Sequence, residues 1–291
     1  MRVVIIANPI AGRGAATRRV EALGRCLEQK GAQVCTHRTE GPGDATRLGR
    51  QIGHDADCLV IAGGDGTIHE AVNGLRDPSA TPIAILRVGT ANILARDLDM
   101  PSAPPAVADM ILGGKTRRID MGITGTGRRF LMVASAGFDA MVIKAIHQRR
   151  RGKLGFLGYP LPILRTMFRY RAPALQVRVD DGPPMGGALV VVANTFTYAG
   201  ILSVCSRARC DSGRLEVVVF ERASIPSLAR YALAGWRHQM ERVAGARHRS
   251  GRRIQIEADD PVDVEIDGEY HGTTPVHIEL MPSTVPLLVP E

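Results

Sequence analysis

Short apolar runs at 3–7, 33–36, 58–62 and 83–86 alternate with stretches at 17–29, 44–52, 68–75, 91–97 and 106–112 whose apolar residues return every three or four positions. The runs predict strands and the stretches predict helices, so the first 122 residues read as an α/β domain with a mostly parallel, three-layer sheet. The strand runs lack strict alternation, as expected where helices cover both faces of a sheet. Sites in such sheets lie at the carboxyl ends of the strands.

Past about Asp120 the rhythm changes. Strand-like runs at 130–136, 175–179, 188–193, 215–220, 254–258, 262–266 and 276–280 follow one another between Gly, Pro and Asp, with helices expected only at 161–170 and 225–242. This half reads as predominantly β. The expected organisation is a nucleotide-binding α/β domain over 1–122 and a β-rich substrate domain over 123–281, with a tail at 282–291 that returns to the first. A length of 291 residues agrees with two domains rather than one.

Composition narrows the classes. Hydrophobic residues make up 45% and charged residues 23%, which is globular. No apolar stretch reaches the ~18–20 residues of a membrane span and none reads as a signal peptide, so a cytoplasmic location is expected. Cys26, Cys35, Cys58, Cys205 and Cys210 show no paired C-x-x-C spacing and read as reduced thiols. Of the net charge of +8, residues 1–122 contribute 15 basic against 13 acidic groups and the remainder 22 against 16. The second half thus holds the basic surface, which favours anionic partners.

Three loops carry the candidate chemistry. Asn8-Pro9-Ile10-Ala11-Gly12-Arg13-Gly14 joins the first strand to a helix, where backbone amides can meet a phosphate, although an ordinary Gly-rich turn reads the same way. It lacks the Gly-Lys-Ser/Thr of a Walker A loop and the G-x-G-x-x-G of a dinucleotide fold. The strand at 58–62 ends in Gly63-Gly64-Asp65-Gly66-Thr67-Ile68-His69-Glu70, and three glycines around one acid exceed what a tight turn needs, pointing to a phosphate or metal site. Val88-Gly89-Thr90-Ala91-Asn92 adds a hydroxyl at the end of the next strand. One nucleotide crevice explains the three together.

These loops, with Thr39 before Gly43-Asp44-Ala45, Arg118-Ile119-Asp120, Ala136-Gly137-Phe138-Asp139, Lys153-Leu154-Gly155 and Asp267-Gly268-Glu269, resemble the diacylglycerol kinase catalytic family, which includes sphingosine and ceramide kinases. The resemblance covers nearly the whole chain. It implies a C-terminal β-sandwich and an ATP site in the interdomain cleft, the phosphates lying over Asn8, Pro9, Gly12 and Arg13 and over Gly63, Gly64, Asp65, Gly66, Thr67, Ile68 and His69, with Thr39 and Thr90 completing the pocket. It implies Mg²⁺ organised by Asp65, and Glu269 as general base toward a lipid hydroxyl, although Asp-Gly is also a common hairpin turn. A second Mg²⁺ is implied at Asp211, the Arg214 carbonyl and Glu216, where a solvated turn is the alternative. Asp120 and Lys153 are further candidates, for the metal-water network and for phosphate.

Arg13, His69 and Arg87-Val88 depart from the family's usual residues, and Ser212 stands where a second Asp is usual. The basic run 149–153, with Leu161, Leu164, Met167 and Phe168 at helical spacing, suits either peripheral docking on an anionic membrane or core packing beside a solvated loop; Arg247 to Arg253 could reinforce docking. A related NAD-type kinase would share the Gly63 loop but needs another substrate site. A basic nucleic-acid-binding module is the non-enzymatic rival, disfavoured by only 4% aromatic residues.

Overall fold

The computed structural model of this chain describes residues 1–52, 56–149, 163, 165–167 and 170–290. It divides into two units, Met1–Met121 with Pro282–Glu291, and Gly122–Met281.

The first unit opens with β1 (Arg2–Ala7), α1 (Ala15–Gln29), β2 (Gln33–Arg38), α2 (Asp44–Ile52), β3 (Cys58–Gly63) and α3 (Asp65–Gly74). β4 (Ile83–Arg87), α4 (Ile93–Asp97), α5 (Pro104–Gly113) and most of β5 (Thr116–Thr124) follow. The strands pair in parallel in the order β2-β1-β3-β4. β2 is a polar, mostly exposed edge, whereas β1, β3 and β4 are apolar and buried: Val3, Ile5, Val60 and Leu86 pack with Val20, Leu23 and Leu27 of α1 and Val107 and Ile111 of α5. Each buried Leu or Ile contributes about 1.5–3 kcal/mol. The chain leaves β1 toward β2 and returns past it to β3, so the strand order reverses between β1 and β3, and a crevice forms outside their carboxyl ends.

The second unit is antiparallel. β6 (Arg129–Phe130), β7 (Val133–Ala136), α6 (Phe138–Arg149), β8 (Leu175–Val179), β9 (Met185–Gly187) and β10 (Leu189–Ala193) come first. β11 (Thr197–Tyr198), β12 (Leu202–Ser203), β13 (Leu215–Phe220), α7 (Ile225–Trp236), β14 (Ala246–Gly251), β15 (Arg253–Ala258), β16 (Asp263–Ile266), β17 (Glu269–Thr273) and β18 (Val276–Leu288) complete the chain. One sheet runs β14-β13-β10-β7-β16-β17, and β9, β8, β15 and the first half of β18 form another. Between them lies a core of Val190, Val192, Val217, Val219, Ile254 and Ile256, among others, fed by every second residue of each strand.

The expected helix at 225–242 is shorter. α7 ends at Trp236, and His238 adopts φ +54° before a single 3₁₀ turn at Met240–Arg242. The run at 130–136 is two strands, and α6 occupies a segment read only as a motif. Most of the helix expected at 161–170 lies outside the described residues, as do Arg150, Arg151 and Lys153. Among the described residues no helix is long and apolar enough to cross a membrane.

Candidate functional site

In the first unit the three glycine loops meet at the β1–β3 reversal. The Asn8 amide donates to the Ala62 carbonyl at 2.9 Å, and the Asn8 side chain donates to the Thr67 hydroxyl at 3.2 Å, tying the first loop to the second. Gly12 has φ +57°, and a Cβ there would stand 2.4 Å from the Val88 carbonyl oxygen. A Cβ on Gly89 would stand 2.4 Å from the Gly64 Cα. These backbones approach as only glycine permits.

α3 starts at Asp65, its Thr67 and Ile68 amides both donating to the Gly64 carbonyl at 3.0 and 3.1 Å, so the positive end of the helix dipole lies beside the loops. The half-buried Asp65 carboxylate accepts the Ile93 amide at 2.8 Å. Asn92 caps α4 from φ +49°, its amide exchanging hydrogen bonds with Gly89 at 3.1 and 2.6 Å. Thr39 is buried and donates its backbone amide to the Ala7 carbonyl, whereas Thr90 is exposed. The Ile68 and His69 side chains are 1% exposed inside α3, so any contribution of theirs to a phosphate is limited to backbone. Asp120, also 1% exposed, accepts the Ser283 amide at 2.8 Å and thereby holds the returning tail.

In the second unit Asp267 and Gly268, at φ +49° and +81°, are the two central residues of a hairpin joining β16 to β17. Positive φ at both fits a type I′ turn, so the hairpin reading is correct and also fixes where Glu269 begins the next strand. The buried Asp267 carboxylate accepts three backbone amides, from Leu131, Met132 and Val133, at 2.9, 3.0 and 2.9 Å. Asp267→Ala leaves three amides without that acceptor and is expected to cost about 3–5 kcal/mol, with Asp267→Asn costing less. Urea unfolding of both variants checks this; equal stability of wild type and Asp267→Ala would remove the clamp from the account.

Glu269 pairs with His147 of α6, Nε2 to Oε2, at 3.0 Å, and both are over a quarter exposed. Lys144, also on α6, donates to Asp263 at 2.6 Å and lies over the Tyr270 ring at 5.0 Å. His147 carried no sequence signal, because nothing local marks a histidine that meets a glutamate from a distant hairpin.

Beneath the hairpin sit two carboxyl groups. Glu265 accepts the Ser135 hydroxyl at 3.0 Å and the Gly268 amide at 2.7 Å, and Asp139 accepts the Tyr198 hydroxyl at 2.5 Å. Burial raises both, Glu265 well above the ordinary carboxylate range, where the neighbouring Asp139 makes its ionisation harder still. Below that range folded and unfolded chains both hold these protons. As pH rises through it only the unfolded chain lets them go, so stability falls with rising pH until the folded pair ionises. Glu265→Gln is therefore expected to raise the Tm near about pH 8 and change little near about pH 4. Thermal melts across that interval decide; an unchanged slope would mean that the pair is ionised in the fold.

The second metal position is engaged otherwise. Both Glu216 oxygens accept the Ser250 hydroxyl at 2.8 Å, the Cys205 thiol lies 3.6 Å from one of them, and the Arg214 carbonyl accepts the Ser212 hydroxyl at 2.9 Å. Glu216 is buried and Asp211 exposed. The donors are oxygens, as Mg²⁺ requires, and each of these bonds leaves further lone pairs on the carboxylate and carbonyl oxygens. The basic stretch 247–253 is likewise engaged: Arg247 pairs with Glu221 at 2.8 Å and Arg253 with Asp181 at 3.0 Å.

Residues 2–124 match the model of the diacylglycerol kinase catalytic domain, and residues 132–289 match that of the YegS C-terminal NAD kinase beta sandwich-like domain. A diacylglycerol kinase of Staphylococcus saprophyticus is 26% identical over 277 residues, spanning 94% of this chain and 90% of that one. A crystal structure from Bacillus anthracis, assigned to the diacylglycerol kinases, superposes with a TM-score of 0.82 at 25% identity, covering 99% of this chain and 95% of that one. The NAD kinase of Archaeoglobus fulgidus, solved with ATP, superposes with a TM-score of 0.57 at 15% identity over 99% of this chain and 93% of that one, a likeness of fold.

Proposed function

Because the chain belongs to the diacylglycerol kinase family, an ATP-dependent group of lipid phosphotransferases, we propose that it moves the γ-phosphate of ATP to a hydroxyl of a diacylglycerol-like or sphingoid lipid, with Glu269 as general base. The observation that carries this reading is the junction of the Asn8 and Gly63 loops at the strand-order reversal, made by the Asn8–Thr67 hydrogen bond. That edge offers glycine backbone, hydroxyls and the Asp65 carboxylate to a polyphosphate.

Phosphoryl transfer asks for positioning and for compensation of charge on the phosphate oxygens. The glycine-lined turn at Gly12 and the positive N-terminal end of α3 would do both. Asp65, with the loop's other oxygens, fits a hard cation shared with the phosphates; Mg²⁺ held there would neutralise charge developing between the β- and γ-phosphates. No step is assigned to the Asp211–Glu216 position. Glu269 accepts the proton of the attacking hydroxyl, and His147 holds its carboxylate in one orientation. The cytoplasmic location, the peripheral membrane contact and the roles of Thr39, Thr90 and Lys153 belong to the same proposal.

The testing experiment is transfer of labelled γ-phosphate from ATP with Mg²⁺ to diacylglycerol, ceramide, sphingosine and phosphatidylglycerol in mixed micelles. A labelled lipid is expected. If no lipid is labelled while NAD is, the chain is a dinucleotide kinase and the proposal fails.

A further inference from the structure

α7 carries large apolar residues on its outward face as well as toward the core. Its buried stripe is Ser227, Tyr231 and Gly235, and only Tyr231 brings a large ring, 4.6 Å from that of Phe220. Leu228 and Ala234 pack on the core, but the other large apolar residues face out: Ile225 is 40% exposed, Leu233 47% and Trp236 62%, at spacings of eight and three that place them on one face with Ala229 and Ala232. Gly235 packs on Leu202, a Cβ there standing 3.4 Å from Leu202 Cβ, and the next residue back, Ile201, is 56% exposed.

At the C-terminal end of α7 an open surface depression of about 460 Å³ is lined by the exposed Arg207, Arg237, His238, Gln239, Glu241 and Arg242 beside Ser206. Glu241, the acid in this wall, accepts the Ser206 amide and hydroxyl at 2.7 and 2.5 Å. No arginine of the three has an ion-pair partner among the described residues. Arg222 and Arg230 are exposed before and along the helix.

The geometry points to a docking surface for an anionic phospholipid bilayer: the outward face of α7 enters the interface, and a lipid phosphate sits among Arg207, Arg237 and Arg242. Large apolar residues, a Trp at the water boundary and a basic depression beside them are what an interfacial helix requires. Arginine suits phosphate through paired N–H donors. The choice of a membrane as occupant rests on the lipid-kinase reading, and the charge of the depression selects anionic lipid.

Trp236 is the chain's single tryptophan, so its fluorescence reports this face alone. Vesicles of phosphatidylcholine with phosphatidylglycerol are expected to shift its emission to the blue and brominated acyl chains to quench it, while pure phosphatidylcholine does neither. Arg207→Gln, Arg237→Gln and Arg242→Gln together are expected to weaken vesicle binding about 100-fold, and Leu233→Ser to reduce quenching. Trp236 emission unchanged on vesicles that sediment the protein would overturn the proposal. So would binding of inorganic phosphate at the depression without any vesicle response, or a concentration-dependent shift without lipid, which would mark a contact between copies. Phosphorylation of a short-chain, monomerically dissolved diacylglycerol separates the two readings. The triple variant should retain it, whereas a wild type that docks and labels no lipid would sink the kinase reading and leave the docking surface standing.

Discussion

Glu269→Ala is expected to lower the rate of phosphate transfer to lipid by about 10²- to 10⁴-fold, with ATP affinity and the melting temperature held. The residue starts β17, is partly exposed, and its hairpin is fixed by Asp267 rather than by its own side chain, so truncating it removes a carboxylate and little packing. His147→Ala serves as the companion: loss of an orienting partner should reduce kcat far less than loss of the base, and it should leave KM for ATP unchanged. Single-turnover transfer with saturating ATP reads both. A Glu269→Ala enzyme within a few-fold of wild type would leave Asp267-Gly268 as a turn and send the search for the base elsewhere.

The second large effect is expected at Asp65. Asp65→Asn keeps an oxygen to accept the Ile93 amide, so α4 stays seated, but it removes the negative charge from the glycine loop. Transfer is expected to fall about 10²- to 10³-fold, the range for losing one preorganised electrostatic group at a reacting centre. The Mg²⁺ concentration needed for half-maximal activity should rise. Measured ATP hydrolysis and lipid labelling across a Mg²⁺ titration would show this; full activity with an unaltered Mg²⁺ requirement would remove Asp65 from the centre.

The α/β plan of the first unit is legible because its signal is local. β1 is apolar from Val3 to Ala7 and β3 from Cys58 to Ala62, α1 repeats Ala16, Val20, Leu23 and Leu27 at helical spacing, and glycines gather in the loops after β1, β3 and β4. The antiparallel half is legible where a strand alternates, as in Leu175–Val179, whose residues are buried and exposed in turn. α6 is not, because Lys144 and His147 interrupt its apolar pattern to meet the β16–β17 hairpin, and only the fold explains them. α7 reads too long because its apolar spacing carries on past the point where His238 turns the backbone. The motif residues could be named in advance, but their partners could not. The Asp120–Ser283 bond, the Glu269–His147 pair and the Glu265–Ser135 contact each join segments with no common local pattern.

β18 has a consequence for the order in which this protein can be made. Its early residues pair with β15, while Val285, Leu287 and Leu288 are buried in the first unit, where Leu287 registers with Ile83 of β4. On a ribosome the first 121 residues therefore emerge with the β4 edge unpaired, and they wait through synthesis of the entire second unit for the strand that covers it. An open, apolar edge is an invitation to pairing with a neighbouring chain. The nascent nucleotide-binding half is thus the aggregation-prone stage of this protein's biogenesis, and chaperone demand should be greatest until Leu287 is free to reach β4.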